Sequence, residues 1–197
     1  MPLTWNDIVA TAILTVRRPR DGARVVMGWP VTLREGWTLL VVMAILSAIM
    51  AEVFVALVPS EPDPAMAAVL SSPVGFAVLQ FVGLVILSTT LYLAGKRFGG
   101  TGRYDQAVVL VGWLQALLLL LQLAQIVALV LLPPLALLIG VGSLIFALWM
   151  MTSFAAELHG FKSLFLTFLG MIGAFVVLVV GLSVVLFFLI SLGFLNV

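Results

Sequence analysis

Long apolar runs separated by short polar clusters organise this chain, and they set its elements. A helix crossing about 30 Å of hydrocarbon needs about 20 apolar residues. Trp37 to Val58 meets that length with Glu52 as its only charge, and Pro73 to Ala94 gives a second run. Residues 106–156 carry no charge at all, which is too long for one crossing and suits two. Pro133-Pro134 divides them, because proline has no N–H to donate and its ring clashes with the preceding turn. The third span is therefore set at Gln106 to Leu132 and the fourth at Leu135 to Ala156. Residues 163–197 are again uncharged, but two crossings need more chain than this, so one long helix with a short tail is expected. The pattern predicts an all-α membrane protein, a five-transmembrane-helix bundle with spans at about 37–58, 73–94, 106–132, 135–156 and 163–192. Residues 1–35 form an interfacial N-terminal region and 36–197 the membrane domain.

The segment before the first span has a different period. In "TWNDIVATAILTVRRP", Trp5, Ile8, Val9, Ala12, Ile13 and Val16 recur at helical spacing on one face. Thr4 and Asp7 are spaced as a capping box, with Asp in place of Glu or Gln. The pattern predicts an amphipathic helix too short to cross a bilayer. It either lies in the headgroup plane or packs on the ends of the bundle. Arg17, Arg18, Arg20 and Arg24 follow it as candidate lipid-headgroup contacts, and they also serve as topogenic flanks.

Composition confirms the class. The chain is 64% hydrophobic and 9% charged, against about 25% charged residues in an ordinary soluble domain. It has no cysteine, which removes disulfides, thiolate metal sites and a cysteine nucleophile. The basic residues fall in three segments: Arg17 to Arg34, Lys96 to Arg103, and Lys162. With five spans, all three share one side, and the positive-inside rule makes that side cytoplasmic. The N-terminus is then cytoplasmic, the C-terminus outside, and the setting a bacterial inner membrane. The first residues do not read as a signal peptide, since a basic start is missing and Asp7 interrupts the apolar run.

Candidate chemistry is sparse. Glu52 is the one carboxylate well inside a span, and Gln115, Gln122 and Gln125 share a face of the third helix. Together they are the candidate intramembrane polar site. Helix-to-helix hydrogen bonding is the structural reading and a small transporter or channel the alternative. His159 is the lone histidine, and with Glu157 and Lys162 it is expected to cap the fourth helix and start the fifth. One histidine and no cysteine give no metal site, no catalytic cluster is visible, and no cofactor is expected. Gly170, Gly173 and Gly181 are expected to let the fifth helix pack closely on a neighbour or a second copy.

The turn "AGKRFGGTGRYDQA" (94–107) is the densest cluster of glycine and charge. Its spacing fails the phosphate loop, because Arg97 follows Gly95-Lys96 and Thr90 stands where the first glycine is needed. It fails the dinucleotide fingerprint, because Asp105 holds the third glycine place. A cytoplasmic reversal is expected, with Gly95 taking a positive φ at the helix end and Lys96 and Arg97 facing the helix dipole. Gly99, Gly100, Gly102, Arg103 and Tyr104 are the candidate docking turn.

A basic N-terminal region, five spans and a Gly-Gly-x-Gly turn between the second and third resemble the Yip (Ypt-interacting protein) family. Gly112-Trp113 in "VLVGWLQAL" resembles the family's Gly-aromatic pair, and "VRRPRDGARVV" resembles a segment of its bacterial members. The resemblance runs from about Val16 to the end. Eukaryotic members carry an Asp-Leu-Tyr-Gly-Pro motif that this chain lacks. Trp113 replaces their Tyr, and Leu117 stands where they place a proline. For eukaryotic members the resemblance implies binding of prenylated Rab-type GTPases. For this chain the reading is a non-enzymatic scaffold, assembly or accessory factor. Its partners are membrane lipid and a membrane protein or a second copy, with no nucleic acid.

Overall fold

The computed structural model describes residues 4–57 and 72–192. They form seven helices: α1 (Trp5–Arg17), α2 (Pro19–Met27), α3 (Leu33–Leu57), α4 (Pro73–Arg97), α5 (Tyr104–Leu131), α6 (Pro133–His159) and α7 (Leu164–Ser191). The last five are each long and apolar enough to cross a membrane. Val58, where the first predicted span ends, lies outside the described residues.

The five spans stand where the apolar runs put them, with ends shifted for local reasons. α3 starts four residues early because Thr32 and Glu35 cap it. The Glu35 carboxylate accepts from the Thr32 N–H and hydroxyl at 2.7 Å each. α6 starts at Pro133, not Leu135, since proline is tolerated in a first turn where no N–H has a helical partner. Leu132 alone joins α5 to α6. α7 is one continuous helix of 28 residues, as the uncharged run requires.

The N-terminal region departs further. It holds two helices, because Pro19 cannot continue α1 but fits the first position of α2. α2 packs across α5 and α6. α1 turns Thr11 and Thr15 inward, with Ile8 and Ala12 at the margin, and leaves Trp5, Val9, Ile13 and Val16 exposed. Gly22 permits the close crossing of α1 and α2. A Cβ there would lie 2.5 Å from the Thr15 backbone.

α5 is the central helix, in contact with α2, α3, α4 and α6. Its first turns are buried on every side, from Ala107 through Leu114, and so is the last stretch of α6, from Met150 to Ala156. Both stretches lie at the end of the bundle that carries the basic residues. Towards the far end, exposed leucines and valines dominate the same helices. α7 sits at the margin against α6 and α4, with Thr167 its one buried residue among the described side chains. Gly173 and Gly181 face open space, so the close approach expected at those glycines is not made among the described residues. Gly170 meets only the ring of Phe98, at 3.8 Å.

One buried bond ties α1 to the core. The Trp113 indole N–H donates to the Thr15 hydroxyl at 3.1 Å, and that hydroxyl donates to the Thr11 carbonyl at 2.6 Å. Trp29 meets Trp113 edge-on, with centroids 5.1 Å apart. Trp113 is nine residues into α5, so α1 reaches roughly 13 Å down the bundle and does not merely rest on its ends.

Thr15→Val keeps the shape and removes the acceptor, leaving the indole N–H buried and unpaired. The expected loss is about 1–3 kcal/mol, read as a lowered thermal midpoint in detergent. At the other end of α1, the Asp7 carboxyl accepts from the Thr4 hydroxyl and, secondarily, the Thr4 N–H, which hold its pKa below the usual 3.8. The capping contribution is therefore present above that value and disappears as pH falls through the lowered one. Amide exchange in the first turn of α1 is expected to speed up only under such acid conditions, and Asp7→Asn to remove that dependence.

Candidate functional site

The glycine turn between α4 and α5 is shaped around one side chain. α4 runs to Arg97, and Gly95 lies within it in helical conformation, so the positive φ expected there falls on Gly99 instead (81°). The Gly100 N–H closes the turn on the Gly95 carbonyl at 2.8 Å. The reason for glycine at positions 95, 100 and 102 is steric. The imidazole of His159, at the end of α6, fills the hollow under the turn and is 3% exposed. A Cβ at Gly95 would overlap that ring. One at Gly100 would stand 2.5 Å from His159 Cβ, and one at Gly102 2.6 Å from Leu158 Cγ.

His159 is held from several sides. Its Nε2 lies 3.1 Å from the Leu91 carbonyl, which can only accept, so that nitrogen carries the proton. Nδ1 faces Gly100 and is buried without a partner. Phe161 stacks on the ring at 5.5 Å, and the Thr101 N–H donates to the His159 carbonyl at 3.4 Å. His159 stands at the end of α6, where a capping role was expected, but it is also a buried core residue joining two turns.

Glu157 is likewise tied to a distant element. Its carboxylate accepts from Arg20 Nε at 3.0 Å and from Arg24 at 2.7–2.8 Å. Arg20 also donates to the Phe161 carbonyl at 3.0 Å. The pair clamps α2 onto the α6–α7 turn. The four arginines grouped as lipid contacts thus divide: Arg20, half-buried, and Arg24, still exposed, are paired with Glu157, whereas Arg17 and Arg18 are exposed at the end of α1.

The candidate docking turn divides too. Gly100 and Gly102 are buried and Gly99 is exposed. Tyr104 packs against Tyr92 at 5.7 Å and Trp37 at 6.4 Å. Arg103 is exposed and forked onto Asp105, at 3.0 and 2.7 Å. Beside it a cleft of about 420 Å³ opens between the α2–α3 connection and the start of α5, bounded by Trp29, Thr32, Arg103, Asp105 and Gln106. The outward-facing part of this turn is thus Lys96 to Gly99, Thr101 and Arg103, beside that cleft.

The intramembrane polar residues do not share one cavity. Gln115 donates to the Ser47 hydroxyl at 2.9 Å, a helix-to-helix bond. Gln125 lies against Gly140, where a Cβ would stand 2.8 Å from its amide nitrogen. Glu52 lines a separate groove between α3 and α4 that includes none of Gln115, Gln122 or Gln125. Among the described residues no group of three or more acidic or histidine side chains has metal-binding geometry.

Sequence reasoning missed the glycine–histidine relation because its partners lie about 60 residues apart. The usable signal was the coincidence of a sole histidine with a glycine cluster in a turn at the same end of the bundle. Gly100→Ala is expected to cost about 1–3 kcal/mol through overpacking. Gly99→Ala meets open space and carries only the strain of a positive φ. Removing the ring makes room for a methyl at position 95, where the three nearest atoms all belong to the imidazole, so His159→Ala with Gly95→Ala is expected to lose less than the two single losses summed. A coupling of at least about 0.5 kcal/mol in thermal or denaturant unfolding checks this, and simple additivity would refute it.

Comparison with curated proteins and with solved structures returned no match. The Yip1 domain profile matches residues 13–192, from the middle of α1 to the end of α7. That span takes in the glycine turn, Gly112-Trp113 and all five membrane-length helices, and this multi-pass membrane protein belongs to the Yip1 domain family.

Proposed function

We propose that the chain is a non-enzymatic accessory or scaffold factor of a bacterial inner membrane. It engages anionic lipid and a membrane-protein partner, or a second copy, through the end that carries its basic residues. That end is cytoplasmic in this reading, because positive residues are retained there, which leaves the C-terminus outside.

The observation that carries the proposal is the two-sided α1. Its inner side is spent on the core through Thr11 and Thr15. Its outer side presents Trp5, Val9, Ile13 and Val16, with Arg17 and Arg18 exposed at its end. An apolar stripe bordered by free arginines is the chemistry of a helix lying in the headgroup plane of an anionic leaflet. The Arg103 cleft at the same end supplies a place for a protein partner. A transport path has less support, since Gln115 is occupied by Ser47 and Glu52 lies apart from the glutamines.

The absence of native cysteine makes single-cysteine labelling clean. Spin labels at Val9→Cys, Ile13→Cys and Val16→Cys, in anionic vesicles, are expected to collide with oxygen in preference to a water-soluble nickel chelate. A nickel-favoured profile at all three positions would refute the reading. Replacing Arg17 and Arg18 by alanine is expected to weaken anionic-lipid retention by about 2 kcal/mol, roughly 25-fold.

A further inference from the structure

The groove between α3 and α4 is apolar along its whole length except at Glu52. It encloses about 640 Å³ and runs from Val41 and Phe81 to Glu52 and Pro73. Glu52 Oε1 is buried and has no hydrogen-bond partner among the described residues. A carboxylate in such surroundings is retained only with a compensating charge or donor.

This chain cannot supply that charge. Its nine basic residues all lie at the opposite end. Arg34 is 18 residues from Glu52 on α3, roughly 27 Å along the helix, and Lys96 is 15 residues beyond Phe81 on α4, roughly 22 Å. The sequence that joins the two helices, residues 58–71, contains no lysine, arginine or histidine. From Glu52 to Val41 the groove extends roughly 16 Å, the reach of an acyl chain, with only alkyl and aromatic walls.

We propose that this groove is a binding site for an aminophospholipid, its primary ammonium donating to Glu52 and one acyl chain lying between α3 and α4 toward Val41 and Phe81. The N–H donors of a primary ammonium match a carboxylate with an unpaired oxygen, which a quaternary ammonium cannot do by hydrogen bonding and an anionic headgroup opposes by charge. The site is at the far end from the basic face, so it stands or falls independently of the docking proposed there.

The test is lipid retention by the purified full-length chain. The protein is placed in vesicles of equal phosphatidylethanolamine, phosphatidylcholine and phosphatidylglycerol, extracted gently, and its bound lipid counted by native mass spectrometry. The expected result is at least about fivefold enrichment of phosphatidylethanolamine over each of the others. Glu52→Gln, nearly isosteric, is expected to abolish the enrichment with the thermal midpoint kept. Ala77→Phe, which fills the groove from α4, is expected to abolish it by blocking the chain. Equal retention of the three lipids, or enrichment unchanged in Glu52→Gln, overturns the proposal. Loss in Ala77→Phe with retention in Glu52→Gln overturns the ammonium contact, and a lysine-bearing transmembrane helix in place of lipid overturns the occupant.

Discussion

The basic end of the bundle is built on a steric exchange. One position in the last turn of α4 and two in the α4–α5 connection lack side chains, and the imidazole at the end of α6 takes the volume they leave. The exchange fixes the height of α6 relative to α4, because the ring must sit beside the Leu91 carbonyl and beneath Gly100 at once. Once that height is set, Glu157 is two residues from the ring and faces α2. The Arg20 and Arg24 pairing follows from it. The placement of α2 then brings α1 alongside α5, where Thr15 meets Trp113.

Packing is accordingly concentrated at one end. Lipid tails are as apolar as leucine, so burial alone gives membrane helices little reason to associate. Close backbone approach and internal hydrogen bonds supply the reason, and both gather here. Gly36 and Gly112 bring α3 against α5, where added methyls would press on Val108 and Leu39. Gln115 and Ser47 add a bond one level deeper. Beyond that level the helices present mostly alkyl surface outward.

The span count was legible because charge is so rare that each charged cluster marks a boundary. The Thr4–Asp7 cap was legible as well because it obeys a local rule, whereas Pro133, read as a break, stands in the first turn of α6. Burial was not legible. Residues 107–114 are apolar on all faces, 150–156 add only Thr152 and Ser153, and stretches open to lipid are just as apolar, so periodicity carries no information about which side is inside. α2 went unseen because nine residues with three charges show too little pattern, although Pro19 marked its start. His159 and Glu157 were read as helix-end groups alone because their partners come from distant parts of the chain. A polar residue near a helix end looks the same in sequence whether it caps, dangles or is enclosed.

The clamp between α2 and the α6–α7 turn also has a place in time. Arg20 and Glu157 are 137 residues apart in the chain. At ribosomal rates of about 5–20 residues per second, Glu157 is made roughly 7–30 s after Arg20. Throughout that interval the arginines of α2 have no acidic partner on α6, and Asp21 beside Arg24 is the one carboxylate at hand. The Glu157 contact becomes available only with the fourth membrane-length helix. The docking of α2 is therefore a late event, made between the first and the last third of the chain.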